Sequence, residues 1–162
     1  MSDDGSSDDW SNDRKAVAYR EARNVLDTQQ AIITDIDDKA MRTVRLTVIL
    51  IGVFVTAARI NGPAMFHPLL ALGGGVFLFL SVVTGVLTYS ESDLFLGPNR
   101  DYVEQLAANT FTGTTWDDDY LMTVAYWIGE NHDDLEWNGK LFLVTQVLLV
   151  LGLALVALSI VF

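Results

Sequence analysis

The residues whose types could support catalysis or metal binding are few and do not form a set. There are two histidines, His67 and His132, and only His132 has neighbouring carboxylates, at Asp133 and Asp134. Adjacent carboxylates of this kind are more typical of a helix N-terminus than of a metal site. The acidic run at 117–119 lacks the alternating ligands and the glycine of a calcium loop. The sequence therefore predicts no catalytic residue, no metal site and no cofactor.

Cysteine is absent, which excludes disulfides, thiolate nucleophiles and cysteine metal sites. The remaining candidate for binding a ligand is Arg100, one of two cations in the segment 90–140, which holds eleven acidic residues. Its guanidinium could bind an anion, and the alternative is a local ion pair. Four aromatic residues of the same segment could line a ligand site or pack together: Trp116, Tyr120, Tyr126 and Trp127.

The elements that must position these residues follow from an unusual composition. Of the 162 residues, 51% are hydrophobic, yet the net charge is −11, with 21 acidic and 10 basic residues. The charges are segregated, since 69–89 and 141–162 contain none. Uncharged apolar runs of about 18 residues or more are typical of membrane spans, so the sequence predicts an integral membrane protein in contact with lipid. The acid excess argues against nucleic acid as a partner, and it is typical of extreme halophiles, which indicates an archaeal source.

The predicted fold is all-α, with three spans and a long N-terminal helix that continues into the first span. Neither glycine nor proline occurs from Ser6 to Ile51, which favours one uninterrupted helix that begins near Ser11 or Asn12 and ends before Gly62. The predicted segments are a disordered acidic tail at 1–12, an amphipathic cytoplasmic helix at 13–43, spans at 44–60, 69–89 and 141–162, and a cytoplasmic helical segment at 90–140.

Within 90–140 the sequence predicts a bundle of separate helices. Asn99 can cap a short helix that contains Tyr102, and a loop follows at 112–115. The next helix is expected to end at 129–131, where a glycine precedes Glu130 and Asn131. A final helix would begin near Asp133 and continue into the third span.

The long helix carries a seam of residues spaced alternately three and four apart, as in a coiled coil. The members of this seam are Tyr19, Ala22, Leu26, Gln29, Ile33, Ile36 and Ala40. Gln29 is its one polar member and could fix the register. The seam needs another helix to pack on, either this chain's own later helices or the same seam of a second copy.

Small residues in the second span predict close helix approach, at Gly73, Gly74, Gly75 and Gly85. Gln146, the lone amide of the third span, is expected to hydrogen-bond to another helix. Three short spans offer few partners within one chain, so we expect a homo-oligomer held by the seam and by the region of Gly74 and Gly85.

The orientation follows from the basic residues, which favour the cytoplasmic side of a membrane. Six Lys and Arg residues precede residue 44, and Arg45 lies at the membrane edge of that segment. The loop after the first span has only Arg59 at its margin. We therefore expect a plasma-membrane protein with its N-terminus and residues 90–140 in the cytoplasm and its C-terminus outside the cell.

This layout resembles a known family. The long helix ends in Asp35-Ile36-Asp37-Asp38-Lys39-Ala40, and a hairpin of spans is followed by Asp93-Leu94-Phe95-Leu96-Gly97-Pro98. The arrangement is similar to the small transmembrane effectors of prokaryotic nucleotide-signalled antiphage systems, the Pycsar membrane effectors and the related SLATT proteins. In those proteins an Asp-x-Lys-Ala element precedes the first span, and Asp37-Asp38-Lys39-Ala40 matches it. The resemblance implies a protein that responds to a cyclic nucleotide by oligomerising and impairing the membrane.

Two functions remain open. The leading one is a non-enzymatic membrane effector or pore-forming protein that acts as a homo-oligomer, with a cyclic nucleotide as its ligand. The alternative is an accessory or scaffold subunit that packs on a larger membrane complex. The neighbouring genes discriminate between them, because a nucleotide cyclase would favour the effector and a transporter operon the subunit.

The orientation predicts where reporters must lie. A reporter fused after Phe162 should lie outside the cell, and one inserted near Gly113 should lie inside, because the basic residues cluster before residue 46. Accessibility of the two reporters to a membrane-impermeant reagent measures this. Both reporters on the same side would contradict the three-span topology.

Overall fold

The computed structural model describes residues 6–62, 65–90, 94–98, 100–108 and 116–161. They form four α-helices: α1, Ser6–Asn61; α2, Pro68–Ser90; α3, Arg100–Ala107; and α4, Trp116–Val161. No strand occurs among these residues. The predicted all-α class is confirmed.

Helix α1 is continuous over 56 residues, as the absence of glycine and proline predicts. It begins at Ser6, so the helix includes residues 6–12 of the segment for which the sequence predicts an acidic tail. Once a helix is nucleated, each further residue adds a hydrogen bond, and no glycine or proline between Ser6 and Gly52 interrupts that propagation. The rest of the expected tail, 1–5, lies outside the described residues.

The end of α1 is also the predicted one. Gly62 follows Asn61 with φ of +80°, the left-handed conformation that commonly terminates helices and that glycine adopts without a steric penalty. Beyond it, the His67 amide donates to the Ser159 carbonyl at 2.8 Å, and the Phe66 ring meets the Phe54 ring edge-on with centroids 5.2 Å apart. These contacts fix the connection to α2.

Helix α4 differs from the prediction because it runs without interruption for 46 residues. The expected helix end at 129–131 and restart near Asp133 are wrong. One glycine inside a helix costs only about 1 kcal/mol relative to alanine, and Asn131 is fully buried there, so its contacts hold the helix together through this stretch. The short helix α3 was predicted correctly, whereas Asn99 and 112–115 lie outside the described residues.

Three of the helices, α1, α2 and α4, are each long and apolar enough to cross a membrane, which fits a multi-pass membrane protein. The chain forms two compact units. Unit 1 comprises the described parts of 1–32 and 93–135, and unit 2 those of 33–92 and 136–162. Helices α1 and α4 each contribute to both units.

In unit 2, helices α2 and α4 touch backbone to backbone through two glycines. A methyl group placed on Gly74 would lie 2.9 Å from the Val156 amide nitrogen and 3.0 Å from the Gly152 carbonyl oxygen. One placed on Gly152 would lie 3.0 Å from the Leu78 amide nitrogen. Such approach is possible only for glycine, and in lipid it replaces the hydrophobic driving force that helices have in water.

Helix α1 meets the pair at Gly85. A methyl group there would lie 2.5 Å from Val44 Cγ2 and 3.3 Å from Thr145 Cγ2. Gly74 and Gly85 thus make close contacts within one chain, and the expectation that their region also holds copies together stays a prediction. Gly73 makes an ordinary contact of 3.6 Å, and Gly75 has nothing within 4 Å of that position.

Buried hydroxyl groups tie the same helices together. Ser81 Oγ donates to the Thr145 carbonyl at 2.9 Å, and the Thr145 and Thr84 hydroxyl oxygens lie 2.9 Å apart. Both Ser81 and Thr145 are fully buried. Because a polar group in an apolar surrounding must find a partner, these bonds also specify the pairing of α2 with α4.

The glycine contacts predict a difference between two neighbouring substitutions. Gly74→Ala should lower the free energy of unfolding in detergent by about 1–3 kcal/mol, since the added methyl must push α4 away. Gly75 faces an open groove beside Phe79. Gly75→Ala should therefore leave the free energy of unfolding unchanged or raise it slightly, because alanine favours the helix. Thermal unfolding followed by circular dichroism compares the two. Equal stability would show that α2 and α4 are not in backbone contact.

Candidate functional site

The buried polar centre of unit 1 is the side-chain amide of Asn131. Its Oδ1 accepts from the Phe95 amide at 2.8 Å, and its Nδ2 donates to the Phe95 carbonyl at 3.0 Å. Two hydrogen bonds to one residue's backbone reproduce the pairing of neighbouring strands. The amide therefore holds the non-helical segment 94–98 against α4.

Gln29 of α1 completes this centre. Its Oε1 accepts from Asn131 Nδ2 at 3.3 Å, and its Nε2 donates to the Ile128 carbonyl at 3.0 Å. The side chain is buried, so the polar member of the seam has both its donor and its acceptor engaged by α4. This fixes the register of α1 on α4, as a single polar residue in an apolar seam does in coiled coils.

Arg23 hydrogen-bonds to Leu96, the next residue of the segment 94–98. Its Nη1 donates to the Leu96 carbonyl at 2.9 Å, and its Nη2 lies 3.9 Å from Asp27 Oδ1. The Gly97 Cα lies close to the same guanidinium, because a methyl group there would be 3.9 Å from Nη1. We call Arg23, Gln29 and Asn131 the polar clamp, since Arg23 and Asn131 hold 94–98 in place and Gln29 joins Asn131 to α1.

An aromatic cluster packs beside the polar clamp. Its centre is Tyr120, whose ring lies 5.7 Å from that of Tyr19, 5.9 Å from that of Tyr102 and 6.3 Å from that of Trp127. Leu26 and Val124 are fully buried in the same core. Of the four aromatic residues that could line a ligand site, Tyr120 and Trp127 are therefore packed.

The ionisation of the tyrosines follows their surroundings. Burial is the main cause that raises the pKa of Tyr120 above 10.0, neighbouring Tyr19 adds to it, and Arg23 opposes it. The charge of Glu130 raises the pKa of Tyr126, which is exposed. Both phenols are thus neutral at physiological pH and are not bases. The side chain of Trp116 lies outside the described residues.

The seam residues divide between the two units. In unit 1, Leu26 and Gln29 are buried against α4 of the same chain, Ala22 packs at the edge of that core, and Tyr19 is 40% exposed. The first of the two alternatives, packing on the chain's own helices, thus holds for Leu26 and Gln29, and a second copy cannot use them while they are covered. In unit 2, Ile33 and Ala40 are buried and Ile36 is half-buried.

The charged candidates do not converge. Arg100 Nε lies 2.6 Å from Glu104 Oε1 in an exposed i,i+4 ion pair, which is the local alternative stated for this residue. His132 and Asp133 lie exposed in the interior of α4, so they are not at a helix N-terminus. Among the described residues, no three metal-ligating side chains group together. The arrangement can hold helices and a segment of chain in place.

The sequence analysis identified Gln29 and missed Asn131, which it placed in a helix end. The signal was present, because a lone amide in an apolar seam requires a polar partner on the helix that covers it. Helix α4 contains three amide side chains, Asn131, Asn138 and Gln146, and Asn131 is the one that bonds to Gln29. The sequence analysis also missed Gly152, which approaches Leu78 about as closely as Gly74 approaches Val156.

Comparison with known proteins adds no relative, since no protein-family model, curated protein or solved structure matches this chain.

The polar clamp predicts unequal effects at two adjacent positions. Asn131→Leu should lower the free energy of unfolding by about 2–4 kcal/mol, because it leaves Gln29 and both backbone groups of Phe95 without their buried partner. His132→Leu, at an exposed position of the same helix, should change it by less than about 0.5 kcal/mol. Denaturant unfolding followed by tryptophan fluorescence measures both. A stable Asn131→Leu protein would show that the amide holds nothing.

Proposed function

We propose that this chain is a non-enzymatic integral membrane protein that acts as a homo-oligomer. In this proposal it is a membrane effector in which unit 1 controls the membrane-spanning parts of the helices. One observation carries the proposal: α1 and α4 each run unbroken from unit 1 into an apolar stretch long enough to cross a membrane. No loop or hinge residue interrupts either helix.

A continuous helix transmits a change of packing along its length, since it moves or rotates as a rigid element. The polar clamp is suited to be the part that changes. Its hydrogen bonds join two long helices to the segment 94–98, and a ligand that competes for any of them would alter the register of α1 on α4. Such a shift can only follow from different affinities of the ligand for the two packings.

The ligand class in this proposal is a cyclic nucleotide, and it rests on the resemblance of 37–40 and 93–98 to the Pycsar and SLATT effectors. The same resemblance suggests a role in antiphage defence. The orientation with unit 1 in the cytoplasm of the cell and the C-terminus outside it rests on the distribution of basic residues.

The test is the mass of the detergent-extracted complex, measured by light scattering with and without cyclic nucleotides. We expect a mass of several copies and a shift in mass or stability when a cyclic nucleotide is added, with the corresponding linear 5′-monophosphate as the matched control. An oligomer indifferent to cyclic nucleotides would remove the ligand class. A monomer at every concentration, with no crosslink to a second copy in the membrane, would remove the effector and favour the accessory subunit.

A further inference from the structure

Gln146 is the polar residue of the third apolar stretch that its own chain does not use. The other two polar residues of that stretch, Thr145 and Ser159, are fully buried and hydrogen-bonded within the chain. Gln146 is exposed and has no hydrogen-bond partner among the residues that the structure describes. The expected hydrogen bond to another helix is therefore not made within the described part of this chain.

The position of Gln146 within the apolar stretch makes an amide without a hydrogen-bond partner energetically unfavourable. Lys140 is the last charged residue of the chain, and Gln146 lies about 9 Å further along the helix axis. An amide in hydrocarbon without a partner is unfavourable because nothing there accepts or donates a hydrogen bond. Glutamine lacks the long stem by which lysine and arginine reach back to the interface.

We infer that Gln146 pairs with the same residue of a second copy, so that α4 helices of two chains contact each other in the membrane. The inference rests on the proposed homo-oligomer and names its contact surface. A carboxamide carries both a donor and an acceptor, so two of them are complementary to each other. All copies insert in one direction, which places every Gln146 at the same depth and lets a two-fold axis parallel to the helices bring the pair together.

The surroundings of Gln146 allow such a contact. Leu143, Val150, Leu153 and Ala157 share its side of α4 at spacings of three and four, and all are exposed. We call these residues, with Gln146, the Gln146 face. The spacing suits a shallow left-handed crossing, and the small side chain of Ala157 permits close approach. A single polar residue in this pattern also sets the register between the helices.

Single cysteines test the contact cleanly because the chain has none of its own. Val150→Cys lies on the Gln146 face, and Leu151→Cys lies about 100° further around the same helix. The two positions are 64% and 45% exposed, so both are open to a partner. In membranes treated with a mild oxidant, we expect disulfide-linked dimers of Val150→Cys and few or none of Leu151→Cys.

The amide itself is tested in the Val150→Cys chain. Gln146→Leu should weaken dimer association by about 3- to 20-fold, the range that hydrogen bonds between membrane helices give, whereas Gln146→Asn should keep most of it. Circular dichroism checks that both variants fold.

Equal linkage at the two cysteine positions, or linkage indifferent to Gln146→Leu, would overturn the inference. If the extracted complex has the mass of several copies but Val150→Cys does not link, the contact lies elsewhere and only this inference fails. A monomeric mass would remove the proposed function as well.

Discussion

A fully buried amide must find all its hydrogen bonds inside the protein, and in unit 1 this requirement falls on Asn131. Its bonds to Phe95 hold a segment without helical hydrogen bonds of its own, and its bond to Gln29 sets how α1 lies on α4. The apolar core around Tyr120 adds free energy, but apolar contacts tolerate sliding. The polar clamp is what allows only one register.

In unit 2, the specific pairing of helices depends on a different kind of contact. Lipid covers apolar side chains as well as another helix does, so burial alone cannot choose a partner there. Gly74 and Gly152 remove the side chains that would separate α2 from α4, and Ser81 and Thr145 supply hydrogen bonds between them. The choice of partner therefore depends on small and weakly polar residues, and the many exposed leucines and valines of the apolar stretches are free to contact lipid or other chains.

The two kinds of contact suggest different tolerances. A ligand or a change of solvent can compete for hydrogen bonds in unit 1, whereas the backbone contacts of unit 2 change only if whole helices move. In the proposed effector, a rearrangement at the polar clamp would reach the apolar stretches along α1 and α4, since both helices belong to both units. The proposed effector uses this property, and the Gln146 face is where its response would meet a second copy.

The sequence by itself determined the helical class, the three apolar stretches, the end of α1 at Gly62 and the buried side of α1 near Leu26 and Gln29. These features depend on local composition, on hydrophobic periodicity and on helix-breaking residues, all of which can be read without knowing the tertiary contacts. Only the tertiary structure showed that α4 continues through Gly129 and that Asn131 hydrogen-bonds to Gln29. It also showed that Gly152 is close-packed while Gly75 is not, and that Gln146 is exposed. Helical periodicity states which residues share a face, but which neighbour covers that face depends on contacts between residues far apart in the chain.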